Sequence, residues 1–158
     1  MKVLVLTFGF EPDLGAGAFR SSALVKALDA NKFVTEVHVL TTLPGRYGKY
    51  QVHTLSEHNY GKVKVKRFST YKHNSSLIGQ SMAFLIYMVK VLWFQSGKEY
   101  DCVYASSSRL MNGFLGALIA SKKKAFFFLD LRDLFIDSVT RTIKQNWFWG
   151  FLVLFFRL

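Results

Sequence analysis

Short apolar runs that alternate with segments of helical period constrain this chain more than any other feature. Lys2–Thr7, Thr35–Thr41, Asp101–Ser106 and Ala125–Leu131 read as strands, the last of almost unbroken apolar residues. Strands of that kind must be covered on both faces, and the helices between them are what cover them. The expected fold class is therefore α/β, a Rossmann-like parallel sheet with helices on both faces. The expected helices run from about Ala18 to Ala30, from Ser75 to Gln95 and from Arg109 to about Ser121. In the first of these, Phe19, Ala23, Leu24, Ala27 and Leu28 recur at three-to-four spacing and are expected to face inward.

Two segments depart from this rhythm. Leu43–Gly61 carries the turn signals Pro44-Gly45 and Asn59-Tyr60-Gly61 without apolar period, and reads as a long surface loop. Lys62–Phe68 alternates Lys with Val, as in a strand with one wet face whose lysines guard a sheet edge. After Asp133 the pattern changes again, because Thr142–Leu158 is helix-length and apolar nearly all round. Such a helix is expected to pack on a second domain, a partner or a membrane.

The length of 158 residues suits one domain spanning residues 1–158, with enough surface buried to need no disulfide. The single Cys102 lies in an apolar run, which fits a buried thiol in a reducing, cytoplasmic compartment. No secretory signal precedes the first strand, and Leu77–Phe94 is interrupted by Gln80, Ser81 and Lys90, so it reads as a soluble helix. The balance of 21 basic against 10 acidic residues gives +11, a surface that attracts phosphates. The aromatics crowd into Phe126–Phe128 and Trp147–Phe156 instead of interleaving with Lys and Arg, so no nucleic-acid partner is expected.

The motifs exclude several chemistries. The glycines of the first loop fall at 9, 15 and 17, no G-x-G-x-x-G or P-loop pattern occurs, and Thr41-Thr42 stands where a nicotinamide ribose needs an acid. His38, His53, His58 and His73 are scattered without metal-ligand spacing, and His38 reads as structural. Two strand ends remain. Gly15, Ala16 and Gly17 lead into a helix whose free N–H groups, with Arg20 in its first turn, suit a phosphate. A plain strand-to-helix turn with a solvated Arg20 is the alternative. Asp130, Arg132, Asp133 and Asp137 follow the last strand as candidates for polar ligands, or as an ion pair and a helix cap. Ser106, Ser107 and Ser108 follow another strand as hydroxyls lining a cleft. Lys122–Lys124 reads as a solvated turn, or as one basic rim with Lys62, Lys64, Lys66 and Arg67 facing acidic lipid.

The pieces KVLVLTFGFEPDLGAGAFR, TEVHVLTT, YDCVYASSS and FFFLDLRDLFIDSV, in that order and spacing, resemble the N-terminal half of family 4 retaining glycosyltransferases of the GT-B fold. The likeness is to bacterial enzymes that build surface polysaccharide or lipopolysaccharide. It implies an acceptor-binding domain facing a C-terminal donor domain across a cleft, with no essential metal and no resident cofactor. A nucleotide-sugar donor is expected for the full-length enzyme. It further implies that Gly15–Gly17 lies near donor phosphates and acceptor, and that Ser106, Ser107, Arg132 and Asp133 line the acceptor side. The acceptor implied is a sugar, polyprenyl-linked in many members, met at the cytoplasmic face of the inner membrane. The chain departs from the family at Ser108 and Phe135-Ile136, where prolines are common. Its only glutamates are Glu11, Glu36, Glu57 and Glu99, so the paired donor-domain glutamates are absent and this chain alone is expected not to transfer sugar.

Overall fold

The computed structural model describes residues 1–44, 54–70, 77–107 and 110–131. In chain order the elements are β1 (Lys2–Leu6), α1 (Ala16–Ala30), β2 (Glu36–Thr42), β3 (Glu57–Tyr60), β4 (Val63–Phe68), α2 (Leu77–Phe94), β5 (Cys102–Ser106), α3 (Leu110–Lys123) and β6 (Phe126–Asp130). The strands form one sheet in the order β3-β4-β2-β1-β5-β6. Every pairing is parallel except that of β3 with β4. The expected α/β, Rossmann-like architecture is what the chain adopts.

The sheet runs outward in two directions from its middle. The connection from β1 through α1 leads to β2 on one side, whereas α2 and α3 carry the chain to β5 and then β6 on the other. Right-handed crossovers taken in opposite directions place their helices on opposite faces. The core accordingly divides. Val3, Val5, Val37, Val39, Val63, Val65 and Cys102 pack with Val25 of α1, while Leu4, Leu6, Leu40, Val103 and Ala105 pack with Phe84, Tyr87 and Val91 of α2 and Leu115 and Ile119 of α3. Successive strand residues point to opposite faces, so one unbroken apolar run feeds both layers.

Three expectations need correction. The Leu43–Gly61 segment is not loop throughout, since Glu57–Tyr60 pairs antiparallel with β4 around a tight turn at Gly61, whose φ is +50°. Asp29 sits against that turn and its Oδ1 accepts from the Lys62 N–H at 2.8 Å. The lysines of β4 therefore do not guard an edge, because β4 lies between β2 and β3. Lys64 instead bonds Glu36, and Lys66 bonds Glu57 across the hairpin. Finally, α1 turns a different side to the sheet: Ala18, Ser21, Ser22 and Val25 are buried, and Phe19 is 61% exposed. Small residues win that inner face because the helix rides close over polar side chains. No helix among the described residues is long and apolar enough to cross a membrane. Thr142–Leu158, Asp137, His53 and His73 lie outside the described residues.

Candidate functional site

Open α/β sheets bind ligands beyond the carboxyl ends of their strands, where neighbouring connections leave in opposite directions. Here that point falls between β1 and β5, and an amide holds it together. Asn112, fully buried in the first turn of α3, donates Nδ2 to the carbonyls of Leu6 and Ser106 at 3.0 Å each. One side chain thus satisfies the last carbonyls of both strands. Sequence reasoning passed over this residue, although a lone amide in the Gly- and Ala-rich run LMNGFLGALIA was the available signal.

At the same level, a polar row crosses the α1 face of the sheet. Thr41 is in register with Arg67, and Ser106 with Asp130. Thr7, one residue past the end of β1, continues the row between them, its N–H donating to the Leu40 carbonyl at 3.2 Å. Two residues earlier these strands carry Val65, Val39, Val5, Tyr104 and Phe128, so the alternation places Arg67, Thr41, Thr7, Ser106 and Asp130 on one face. Thr7, Thr41, Ser106 and Arg67 are buried. Desolvation holds the Arg67 guanidinium below its ordinary range, opposed by the nearby Glu11 carboxylate. Among the described residues, six side-chain atoms are buried without a hydrogen-bond partner; Thr54 Oγ1 and Gln95 Oε1 lie elsewhere, and Thr41 Oγ1, Ser106 Oγ, Arg67 Nε and Asn112 Oδ1 belong to the ends of β2, β5 and β4 and the start of α3. Buried polar atoms are nearly always paired, so four together at a strand-end crevice call for a reason.

The β1–α1 loop roofs the row and is fastened to it. Thr7 Oγ1 donates to the Gly9 carbonyl at 2.8 Å and lies 3.0 Å from Ser21 Oγ. Thr42 Oγ1 donates to the Phe8 carbonyl, and Arg67 Nη2 to the Glu11 carbonyl at 2.8 Å. Phe10 is buried against the valines of the α1 layer. Tyr60 donates to Glu11 Oε1 at 3.4 Å, and burial together with that carboxylate pushes the phenol up to about 12, so it stays protonated.

The helix that leaves this loop begins earlier than its spacing suggested. Gly15 is the N-cap of α1, its carbonyl accepting from the N–H groups of Ala18 and Phe19. No side-chain hydrogen bond caps the helix at Gly15, and no acid lies in its first turn. A Cβ at Gly15 would meet nothing within 4 Å, so the backbone there is open to approach. Arg20 stays largely exposed but is not free in solvent: its Nη2 donates to Asp130 Oδ1 at 2.6 Å, with side-chain exposures of 62% and 8%. Arg20 thereby straps α1 to the end of β6.

Of the sequence-derived residues, Gly15, Ala16, Gly17 and Arg20 stand together at the start of α1. Ser106 and Ser107 lie beside them but are buried at 0% and 1%, so they form the floor beneath the loop and not an open cleft wall. The Ser107 N–H donates to the Asp130 carbonyl at 2.9 Å, which closes β5 onto β6. Arg132 and Asp133 lie outside the described residues, as does Ser108. The single basic rim does not form, because Arg67 is buried and the β4 lysines sit four strands away from β6. His38 is held structurally, by Tyr100 at 2.8 Å and Glu36 at 3.0 Å. No protein-family model matches the chain, and no curated protein matches its sequence.

Proposed function

We propose that the chain is the acceptor-binding domain of a nucleotide-sugar-dependent glycosyltransferase of surface polysaccharide or lipopolysaccharide synthesis, working with a C-terminal donor domain at the cytoplasmic membrane face. The observation that carries this reading is the strand-end crevice itself. A helix start at Gly15, without a side-chain cap and open to backbone approach, lies beside a row of buried side chains in which Thr41 Oγ1, Ser106 Oγ and Arg67 Nε have no hydrogen-bond partner among the described residues.

The chemistry follows from that arrangement. The N–H groups and positive end of α1 suit a diphosphate oxygen, whether on the acceptor or on the departing nucleotide. Arg20 adds a cation already oriented by Asp130, and its exposed guanidinium retains donors for a second anion. Ser106 and Asn112, both fully buried, support this site from beneath and hold its strand ends in place. Arg132 and Asp133, adjoining Leu131 past β6, would extend the acceptor side. No residue of this chain is assigned a catalytic role.

The test is calorimetric titration of the chain with a short-chain polyprenyl-diphosphate sugar. Saturable binding that weakens about tenfold in Arg20→Ala, and likewise in Arg132→Ala, is the expected result, since each charge-assisted contact contributes roughly 1.5–3 kcal/mol. Binding indifferent to both substitutions would sink the site. The second reading, a non-catalytic surface-binding module, draws on the outer face of α2 and α3.

A further inference from the structure

The two helices that cover the far face of the sheet are apolar outside as well as in. Along α2, Met82, Leu85, Val89 and Trp93 are 54%, 44%, 61% and 83% exposed, and they recur at the spacing of one helix face, opposite the buried Phe84, Tyr87 and Val91. Met82, Leu85, Ile86 and Val89 line a shallow groove with Lys90. The neighbouring α3 continues the surface with Met111 and Phe114, which are 51% and 63% exposed. Soluble monomers rarely leave so continuous an apolar surface in water.

Charge identifies what covers it. Neither α2 nor α3 contains an Asp or Glu, although the chain has 10 acidic residues. Both helices run back against the strands and end at the same edge of the sheet. There Trp93 and Phe94 close α2, while Lys122 and Lys123 close α3, with Lys124 following. Lys98 lies just beyond α2 with its ammonium over the Phe94 ring, 3.3 Å from the centroid. An apolar helical face without carboxylates, ending in an exposed Trp and a lysine cluster, matches the interfacial layer of an anionic bilayer, where indole rings settle and ammonium groups meet lipid phosphates. From Met82 to Trp93 the stripe is about 16 Å long, too short to span a bilayer but suited to lying in its surface.

We infer that the outer face of α2 and α3 is a docking surface for anionic lipid, with Met82, Leu85, Val89, Trp93 and Phe114 entering the interface and Lys122–Lys124 meeting headgroups. The inference goes beyond the glycosyltransferase reading and stands or falls separately, because it holds whatever binds at the strand ends. It lays the sheet along the membrane, so that the crevice at the carboxyl edge opens parallel to the lipid surface.

The chain has three tryptophans, Trp93, Trp147 and Trp149, so the full chain carrying Trp147→Phe and Trp149→Phe reports on α2 alone. In vesicles of phosphatidylcholine with about 30% phosphatidylglycerol, Trp93 emission should shift to the blue and be quenched by brominated acyl chains. Val89→Ser should weaken partitioning about tenfold. Replacing Lys122, Lys123 and Lys124 by Gln should weaken it on the order of a hundredfold in anionic vesicles and leave pure phosphatidylcholine unaffected. Circular dichroism should show the Val89→Ser variant as folded as its parent, because Val89 is 61% exposed on the outer side of α2. Membrane binding with Trp93 unquenched would overturn the inference by placing the contact elsewhere on the chain. So would a blue-shifted Trp93 in lipid-free, concentration-dependent dimers, which would make a second copy the occupant.

Discussion

Asn112 and Ser106 are neighbours in the same crevice with opposite expected consequences. Asn112→Leu leaves the buried carbonyls of Leu6 and Ser106 without their donor and should cost about 1–3 kcal/mol. Ser106→Ala removes a hydroxyl without a partner among the described residues and should change stability by less than about 1 kcal/mol. Urea denaturation separates the two. Arg20→Ala strips a cation from the nearly buried Asp130 carboxylate and should cost about 1–2 kcal/mol, so its loss of affinity has to be measured where the variant is still folded. Acid acts through His38. Burial lowers its pKa below the ordinary 6.5, only partly opposed by the Glu36 carboxylate. The native state therefore resists protonation that the unfolded chain accepts. The stability this confers is complete above 6.5 and is lost as pH falls from there through the lowered native value. His38→Gln should flatten the fall in urea midpoint between about pH 8 and pH 5, and an unchanged slope would contradict the assignment.

At the scale of elements, legibility followed the source of each element's stability. β1, β2, β5 and β6 are held by burial, which writes itself into apolar runs, and all four were legible as strands. β3 is held by pairing instead: Glu57–Tyr60 has no buried side chain, and it exists because Gly61 reverses the chain and Lys66 meets Glu57. No local period announces such a strand. The inner face of α1 was misread for a related reason, since Phe19 is apolar but exposed while Ser21 and Ser22 are polar but buried over the row. That row arises from lateral register across β4, β2, β1, β5 and β6, which no single stretch of sequence contains. Its rim at Gly15–Arg20 and its members Ser106 and Asp130 were visible beforehand as strand-end candidates, but Thr7, Thr41 and Arg67 were not seen as part of it. The close seat of α3 supplies a test at this scale. A Cβ on Gly116 would lie 2.7 Å from Ala105 Cβ and 2.8 Å from Phe127. Gly116→Ala should cost about 1–3 kcal/mol, lowering Tm by roughly 2–4 °C per kcal/mol, despite the higher helix propensity of Ala.

The whole molecule separates its chemistry by surface. Glu11, Asp29 and Asp130 lie on the α1 side, whereas Glu36 and Glu57 pair with Lys64 and Lys66 on the sheet face that α2 covers. The helices α2 and α3 themselves carry no acid, and their outer faces are apolar and basic. Under the proposed function, the outer helical face would meet lipid and the strand-end edge a polar ligand, as an acceptor with its sugar in water and its tail in a membrane would require. The measurement that tests this most directly is an amide chemical-shift titration of the isotopically labelled chain with a short-chain polyprenyl-diphosphate sugar in the absence of lipid. The account expects saturable shifts at Gly15, Gly17, Arg20 and Ser107, with the amides from Met82 to Trp93 unmoved until anionic lipid is added. Shifts confined to α2, or none that saturate at the start of α1, would contradict an acceptor site at the β1–β5 crevice.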